Sequence, residues 1–225
     1  MRKRSKEIID LFNLKANEYE EWYFTDEGSL VLNAEIRGLD RLLPKEGIGI
    51  EIGGGTGIFS KLLTTANRSI ICLDPSIKML KHAKNKGLQT ILGLAEKTPL
   101  KNSCLDFAFM VTSLEFVQNP LNTLSSVNSI LKGRGVLVIL IINRESSWAE
   151  YYKSLGEDQA PLLSRANFFT FNEVLELLKK VGFKFLSALA TLIKPPKNRS
   201  SENFELYSDY KEYSKAGVFI IKARK

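Results

Sequence analysis

The chain has 225 residues, of which 44% are hydrophobic, 25% charged and 10% aromatic. That is the composition of one ordinary globular domain with an embellishment, and it excludes a disordered, collagen-like or disulfide-scaffold chain. The 32 basic and 25 acidic residues give a net charge of +7, spread along the sequence with small clusters at Arg2–Lys6 and Lys222–Lys225, so the charge reads first as solubility and nucleic acid is not the expected partner.

In chain order, Met1-Arg2-Lys3-Arg4 continues into Glu7 and Asp10 with no apolar h-region, so no secretory signal is expected and the cytoplasm is the default. Residues 1–44 read as helical, with an aromatic cluster from Tyr19 to Phe24, and are expected to form a cover separate from a domain at 45–225. From Ile48 apolar strands alternate with amphipathic helices. Strands are predicted at Ile48–Ile52, Ser69–Leu73, Thr90–Leu92, Phe107–Thr112, Val136–Ile142, Phe183–Leu189 and Val218–Ile221. Helices are predicted at Phe59–Ala66, Ser76–Lys86, Pro120–Leu131 (ended by Gly133 and Gly135) and Asn172–Val181 (capped by Asn172, stopped by Gly182). The pattern predicts a doubly wound α/β fold with a seven-stranded, mostly parallel sheet. A long insertion, Thr191–Ala216, parts the last two strands and is a second candidate cover. The longest apolar run, Val136–Ile142, is only strand-sized, so no membrane insertion is expected.

Glu51-Ile52-Gly53-Gly54-Gly55-Thr56-Gly57 follows the first strand and opens the first helix of the alternation. Glycine there allows backbone to approach a ligand where a Cβ would clash. The dinucleotide fingerprint starting at Gly53 demands a small residue at 58, where Ile58 stands, and no Lys-Ser/Thr is present for a triphosphate loop. Glu51 would repel a pyrophosphate and suits a cationic ligand. Asp74, ending the second strand before Pro75 and Ser76, can accept ribose hydroxyls or cap the next helix; Met79 can pack on an adenine or in the core. The thiols Cys72 and Cys104 form no CxxC pair, and the single histidine, His82, lies in the Lys-rich stretch 78–86, so no metal site is expected.

The loop Glu51–Gly57, the strand-end Asp74 and the runs Gly93–Leu100 and Leu131–Leu137 together resemble the signatures of class I S-adenosylmethionine-dependent methyltransferases, and more narrowly the small-molecule, ubiquinone-biosynthesis-like branch. The resemblance implies S-adenosylmethionine as cofactor and S-adenosylhomocysteine as product. It implies Gly53, Gly54, Gly55 and Gly57 around the methionine moiety, Glu51 toward its amino group and Asp74 on the ribose. Pro75, Met79, Ala95, Glu96 and Thr112 complete the cofactor set. Leu94 departs from the pattern, since many relatives carry an acidic residue there for the adenine amine; Glu96 or a backbone carbonyl is the substitute.

For the acceptor, the segment Val111–Phe116 lacks the Asn/Asp-Pro-Pro-aromatic motif of base-amine methylation, and Cys104 follows Ser103 in no nucleophile motif. A small-molecule acceptor with an N, O or S nucleophile is expected, reacting by proximity and desolvation without histidine or metal. An RNA or protein acceptor, or a binding module without turnover, stays open. Trp22, Tyr23, Trp148 and Phe168 are candidate acceptor contacts. Glu115 is a candidate for orienting the acceptor or taking a proton, or else a capping or surface residue.

Overall fold

The computed structural model describes residues 3–225. Seven strands, β1 (Gly47–Ile52), β2 (Arg68–Asp74), β3 (Gln89–Leu92), β4 (Leu105–Val111), β5 (Leu131–Ile142), β6 (Lys184–Thr191) and β7 (Val218–Arg224), form one sheet in the order β3-β2-β1-β4-β5-β7-β6. β1 to β5 pair in parallel, and β7 lies antiparallel between β5 and β6. This is the expected doubly wound sheet. β5 lies between β4 and β7, and from Leu137 to Ile141 every one of its residues is buried. Runs of that kind require helices on both faces.

The helices are α1 (Lys3–Lys15), α2 (Asp26–Leu42), α3 (Ile58–Leu63), α4 (Ile77–Asn85), α5 (Pro120–Ile130), α6 (Ser147–Ser154), the single turn α7 (Gly156–Gln159) and α8 (Phe171–Lys180). Strand alternation sends Ile50, Ile52 and Met110 to one face, where they join Leu124 and Val127 of α5 and Val174 and Leu178 of α8. Phe107 and Phe109 go to the other face, with Leu39 and Leu42 of α2 and Phe59 and Leu63 of α3.

Two predicted helix ends are corrected. Gly133 and Gly135 do not terminate a helix: α5 ends at Ile130 and β5 begins at once, with an irregularity against β4 between Leu105 and Phe107. A Cβ on Gly135 would lie 2.9 Å from the Lys132 carbonyl oxygen, and Arg134 takes φ +69°, so Gly135 accommodates the irregularity. Asn172 does not cap α8. Thr170 does, accepting from the Glu173 N–H while Glu173 accepts from the Thr170 N–H, a reciprocal capping box.

The expected cover at 1–44 divides. α2 belongs to the helical layer, with Gly38 so close to β7 that a Cβ would stand 2.1 Å from Ile220 Cδ1. Residues 3–24, comprising α1 and a 3-10 turn at Glu21–Phe24, lie outside that layer. The 191–216 segment is not a cleft cover along its length. Its Tyr207 pairs with Ala190 along the free edge of β6, shielding an edge strand, and Phe204 and Tyr213 reach opposite faces of the sheet. No helix among the described residues is long and apolar enough to cross a membrane.

Candidate active site

The site begins where β1 ends. Gly53 turns the chain at φ +71°, and its N–H and that of Gly54 donate to the Leu73 carbonyl at 2.8 and 3.0 Å. A Cβ on Gly53 would stand 2.6 Å from that of Ser113, whose hydroxyl donates to the Ile52 carbonyl at 2.7 Å. β1 and β4 are thereby joined at the point where the sheet winds in opposite directions, the place where such folds open a crevice. Gly55, at φ +54°, donates its N–H to Asp74 Oδ2 at 2.9 Å, and a Cβ there would meet no atom within 4 Å. Its missing side chain faces open cavity.

The neighbouring positions face elsewhere. A Cβ on Gly57 would press on Leu88 at 2.4 Å, so that glycine serves the packing of α3 against α4. Gly54 sits against Cys72 Sγ. The Glu51 carboxylate accepts from the Ser60 N–H at 3.0 Å and from the Ser60 hydroxyl. Burial pushes its pKa up to about 8 against the lowering effect of the Ser60 bonds. The structure places Glu51, Gly54 and Gly57 behind the cavity wall and Gly53 and Gly55 on it.

Asp74 does not cap α4, which is capped by Ser76 through its hydroxyl on the Met79 N–H; Asp74 braces the turn before that helix. Oδ1 accepts from the Ser76 N–H at 2.7 Å and Oδ2 from Gly55, yet the carboxylate still lines the cavity with lone pairs to spare. Burial raises its pKa to about 6, with the two backbone bonds opposing. Pro75, Met79, Leu94, Ala95, Glu96 and Thr112 line the same end. Thr112 does so at φ +42°, a strained conformation for a non-glycine residue. Glu96 accepts from the Gln118 N–H at 2.9 Å.

The cavity, about 490 Å³, runs along the carboxyl ends of the strands and continues past β4 and β5 to β7. This second half is bounded by Trp22 and Tyr23 of the 3-10 turn, Val31 and Glu35 of α2, and Trp148 and Tyr152 of α6. Trp148 is held by its indole N–H, which donates to the Lys194 carbonyl at 2.8 Å. Phe168, expected here, is elsewhere: it packs with Ile142 and Ala149 in a small core of its own, because Asn167 donates to the Glu115 carbonyl and Phe169 bridges Asn143, which fixes the strand-like alternation of that segment. Glu115 is no surface residue. It is 1% exposed, Oε1 accepts from the Ile142 N–H at 3.1 Å, and Oε2 is buried with no partner among the described residues. Burial raises its pKa to about 7, and it does not itself line the cavity.

Glu35 was not among the sequence candidates. It lies on the core-facing stripe of α2, one turn from Val31 and one from Leu39, and is 5% exposed. Its carboxyl lines the cavity and has no hydrogen bond or ion pair among the described residues. Burial, reinforced by the Glu115 charge, raises its pKa to about 8. A single glutamate within a helix's apolar periodicity is the signal that marks it. The wall as a whole is acidic despite the chain's positive net charge: Glu18, Glu35, Asp74, Glu96 and Asp158 line it, with Lys15 the one basic residue among the described lining residues.

Residues 3–24 close the cavity from above. Asn13 Oδ1 accepts from the Ser76 hydroxyl at 2.8 Å and the Lys78 N–H at 3.2 Å. Phe12 meets Phe116 edge-on, with ring centroids 5.1 Å apart, and the Tyr23 ring stands edge-on to Phe59 at 5.8 Å. Burial holds the Tyr19, Tyr23 and Tyr152 hydroxyls well above their ordinary pKa, so they stay neutral. No cluster of three or more His, Cys, Asp or Glu side chains suited to a metal occurs among the described residues.

An open glycine turn, a strand-end aspartate and an enclosed crevice at the reversal of a doubly wound sheet define a nucleoside-binding enzyme of the Rossmann-like class. A methyltransferase-domain family model matches residues 31–188. An uncharacterised protein of Methanocaldococcus jannaschii is 35% identical over 186 residues, 83% of this chain and 87% of that protein. The crystal structure of a SAM-dependent methyltransferase of Thermotoga maritima, a possible histamine N-methyltransferase, superposes with a TM-score of 0.85 at 32% identity, covering 97% of this chain and 99% of that one. Histamine N-methyltransferase A of Xenopus laevis is 32% identical over 82 residues, 36% of this chain and 28% of that protein. The chain belongs to the class I S-adenosylmethionine-dependent methyltransferases, and S-adenosylmethionine is its cofactor.

The residues present suit that cofactor. Gly55 leaves open the volume that a Cβ would fill, and Asp74 offers free carboxylate lone pairs beside it. The acidic wall complements a cationic sulfonium and amino group.

Proposed function

We propose that this enzyme methylates a small molecule held in the half of the cavity between Tyr23, Trp148 and Tyr152, with the cofactor in the half around Gly53, Gly55 and Asp74. Pro75, Met79, Ala95, Glu96 and Thr112 complete the cofactor side. The observation that carries this reading is the continuity of one covered cavity, about 490 Å³, within the range of roughly 300–1,000 Å³ typical of small-ligand sites. A polynucleotide would need an open, basic groove, whereas this wall is acidic and roofed by residues 3–24. The histamine named for the Thermotoga and Xenopus proteins is an acceptor of the same size class.

When bound, S-adenosylmethionine supplies an electrophilic methyl group whose departure leaves a neutral thioether. The chain's residues contribute alignment and dryness. The Gly53–Ser113 contact fixes the junction of the two halves, and α1 excludes water by its grip on Ser76 and Phe116. Mass-spectrometric detection of methylated product, across amines, phenols, thiols, bulk RNA and unfolded protein, tests the reading. Turnover confined to small molecules is expected. Methylation of RNA or protein alone would overturn it.

A further inference from the structure

We propose that Glu35, backed by Glu115, is the recognition site for an ammonium group, so that the acceptor is a compact amine carried on an aromatic or apolar body; this rests on the small-molecule reading above. Two carboxyl groups from different elements, α2 and the segment after β4, are both buried, close enough for the Glu115 charge to act on Glu35; the Ile142 N–H donates to Glu115 Oε1, and no backbone N–H among the described residues donates to Glu35. Glu115 Oε2 is buried without a partner, and Glu35 lacks one among the described residues. Buried carboxylates ordinarily meet a cation or several N–H donors. The Glu35 charge acts on the hydroxyls of Tyr19, Tyr23 and Tyr152, and the one basic side chain among the described lining residues, Lys15, is paired to Glu18 at 2.9 Å. The missing partner is a cation that enters the cavity. Trp22, Tyr23, Trp148 and Tyr152 offer aromatic faces and edges around it, a surface that favours a cation and its apolar body over a neutral polar group.

The same pair accounts for the proton. An ammonium has no lone pair and must lose one proton before it reacts. Glu35 takes that proton, and the nitrogen lone pair then forms the N–C bond as the C–S bond breaks with its electrons to sulfur. The product leaves as a methylated ammonium, and the proton on Glu35 returns to solvent. With its pKa raised to about 8, Glu35 is protonated in the empty cavity at neutral pH; the entering ammonium displaces that proton to solvent, and the buried carboxylate so formed is a stronger base than an exposed one. The neutral tyrosines cannot serve.

The test uses the full chain saturated with S-adenosylhomocysteine and isothermal titration with phenethylamine, tyramine and histamine against 2-phenylethanol and phenylacetate. The amines are expected to bind at least tenfold tighter than the alcohol, with the acid weakest. Glu35→Gln should erase the amine-over-alcohol preference while S-adenosylhomocysteine binds unchanged; that ratio is read within one variant and is insensitive to its stability. Glu35→Asp, which keeps the charge, should retain part of the preference. Amines binding no better than 2-phenylethanol, or a preference that survives in Glu35→Gln, would overturn the assignment. If phenols or thiols are methylated and amines are not, the ammonium site fails while the small-molecule reading stands; methylation of RNA or protein alone removes both.

Discussion

Helix α2 carries two acidic residues that meet opposite circumstances, Asp40 half-exposed and Glu35 buried. Asp40, at the amino end of the sheet, accepts from Arg68 Nη2 at 2.6 Å and from Lys45 at 2.8 Å, and these bonds, Lys45 first, hold its carboxyl below the usual range. Arg68 is 1% exposed with all three guanidinium nitrogens bonded, Nε to the Leu63 carbonyl and Nη1 to that of Pro44. Glu35, five residues earlier and at the carboxyl end, has no such partner. The two ends are built from the same helix and the same sheet. At one the charge is balanced from within the chain, which is a structural solution; at the other the carboxyl stands without a partner among the described residues and keeps its proton up to about pH 8.

The sharpest way to break that contrast acts on the carboxyl end alone. Gly55→Val places a branched side chain in the open cavity at a φ of +54°, and S-adenosylhomocysteine binding should fall at least about 100-fold by calorimetry, with the far-ultraviolet dichroism retained. The complementary change is Arg68→Leu, which strands the Leu63 and Pro44 carbonyls. It should cost about 3 kcal/mol in urea unfolding and leave cofactor affinity per folded molecule unchanged. A loss of affinity there would show that the ends are not independent.

A smaller effect comes from pH. Glu35 and Glu51, raised to about 8, and Glu115, raised to about 7, hold in the folded state protons that the unfolded chain releases near pH 4.5. The folded state therefore binds more protons through this window, and stability falls as pH rises from about 4.5 to 8, by up to about 1.4 kcal/mol per pH unit for each group. Around Glu35 the groups involved are Glu115 after β4, Tyr19 and Tyr23 of the cover, and Tyr152 of α6. Thermal melts should show the decline, flatter in Glu35→Gln. The least consequential change is His82→Ala. The ring's one hydrogen bond among the described residues is with Asn17 Oδ1, at 3.2 Å, so turnover should stay within about twofold and stability within about 0.5 kcal/mol.

The cofactor end was legible in the sequence because its requirements are local. Glycines in a strand-to-helix turn and an aspartate one strand later are set by backbone geometry, and every strand of the sheet announced itself by an apolar run. What escaped is what depends on tertiary contact. Glu35 stands within the apolar periodicity of α2, but which compartment that stripe faces is set only when α2 docks through Gly38 against Ile220. Phe168 looks like a pocket aromatic until the pairing of Asn143 with Phe169 fixes which way it faces. Gly133 and Gly135 resemble a helix stop because sequence does not reveal that a helix can pass into a strand with no linker. Thr170 and Glu173 have the three-residue spacing of a capping box, and it is their reciprocal bonds, not the Asn172 side chain, that start α8.

Gly28 links the cover to the helix that bears Glu35. A Cβ there would stand 1.9 Å from the Trp22 carbonyl oxygen, so the 3-10 turn rests directly on the first turn of α2, while α1, immediately before it in the chain, grips Ser76 over the nucleoside half. One continuous strap therefore roofs both compartments. The same stretch of chain keeps water from the nucleoside and from the acceptor, so a change that loosens its seat on Gly28 is felt in both halves of the cavity.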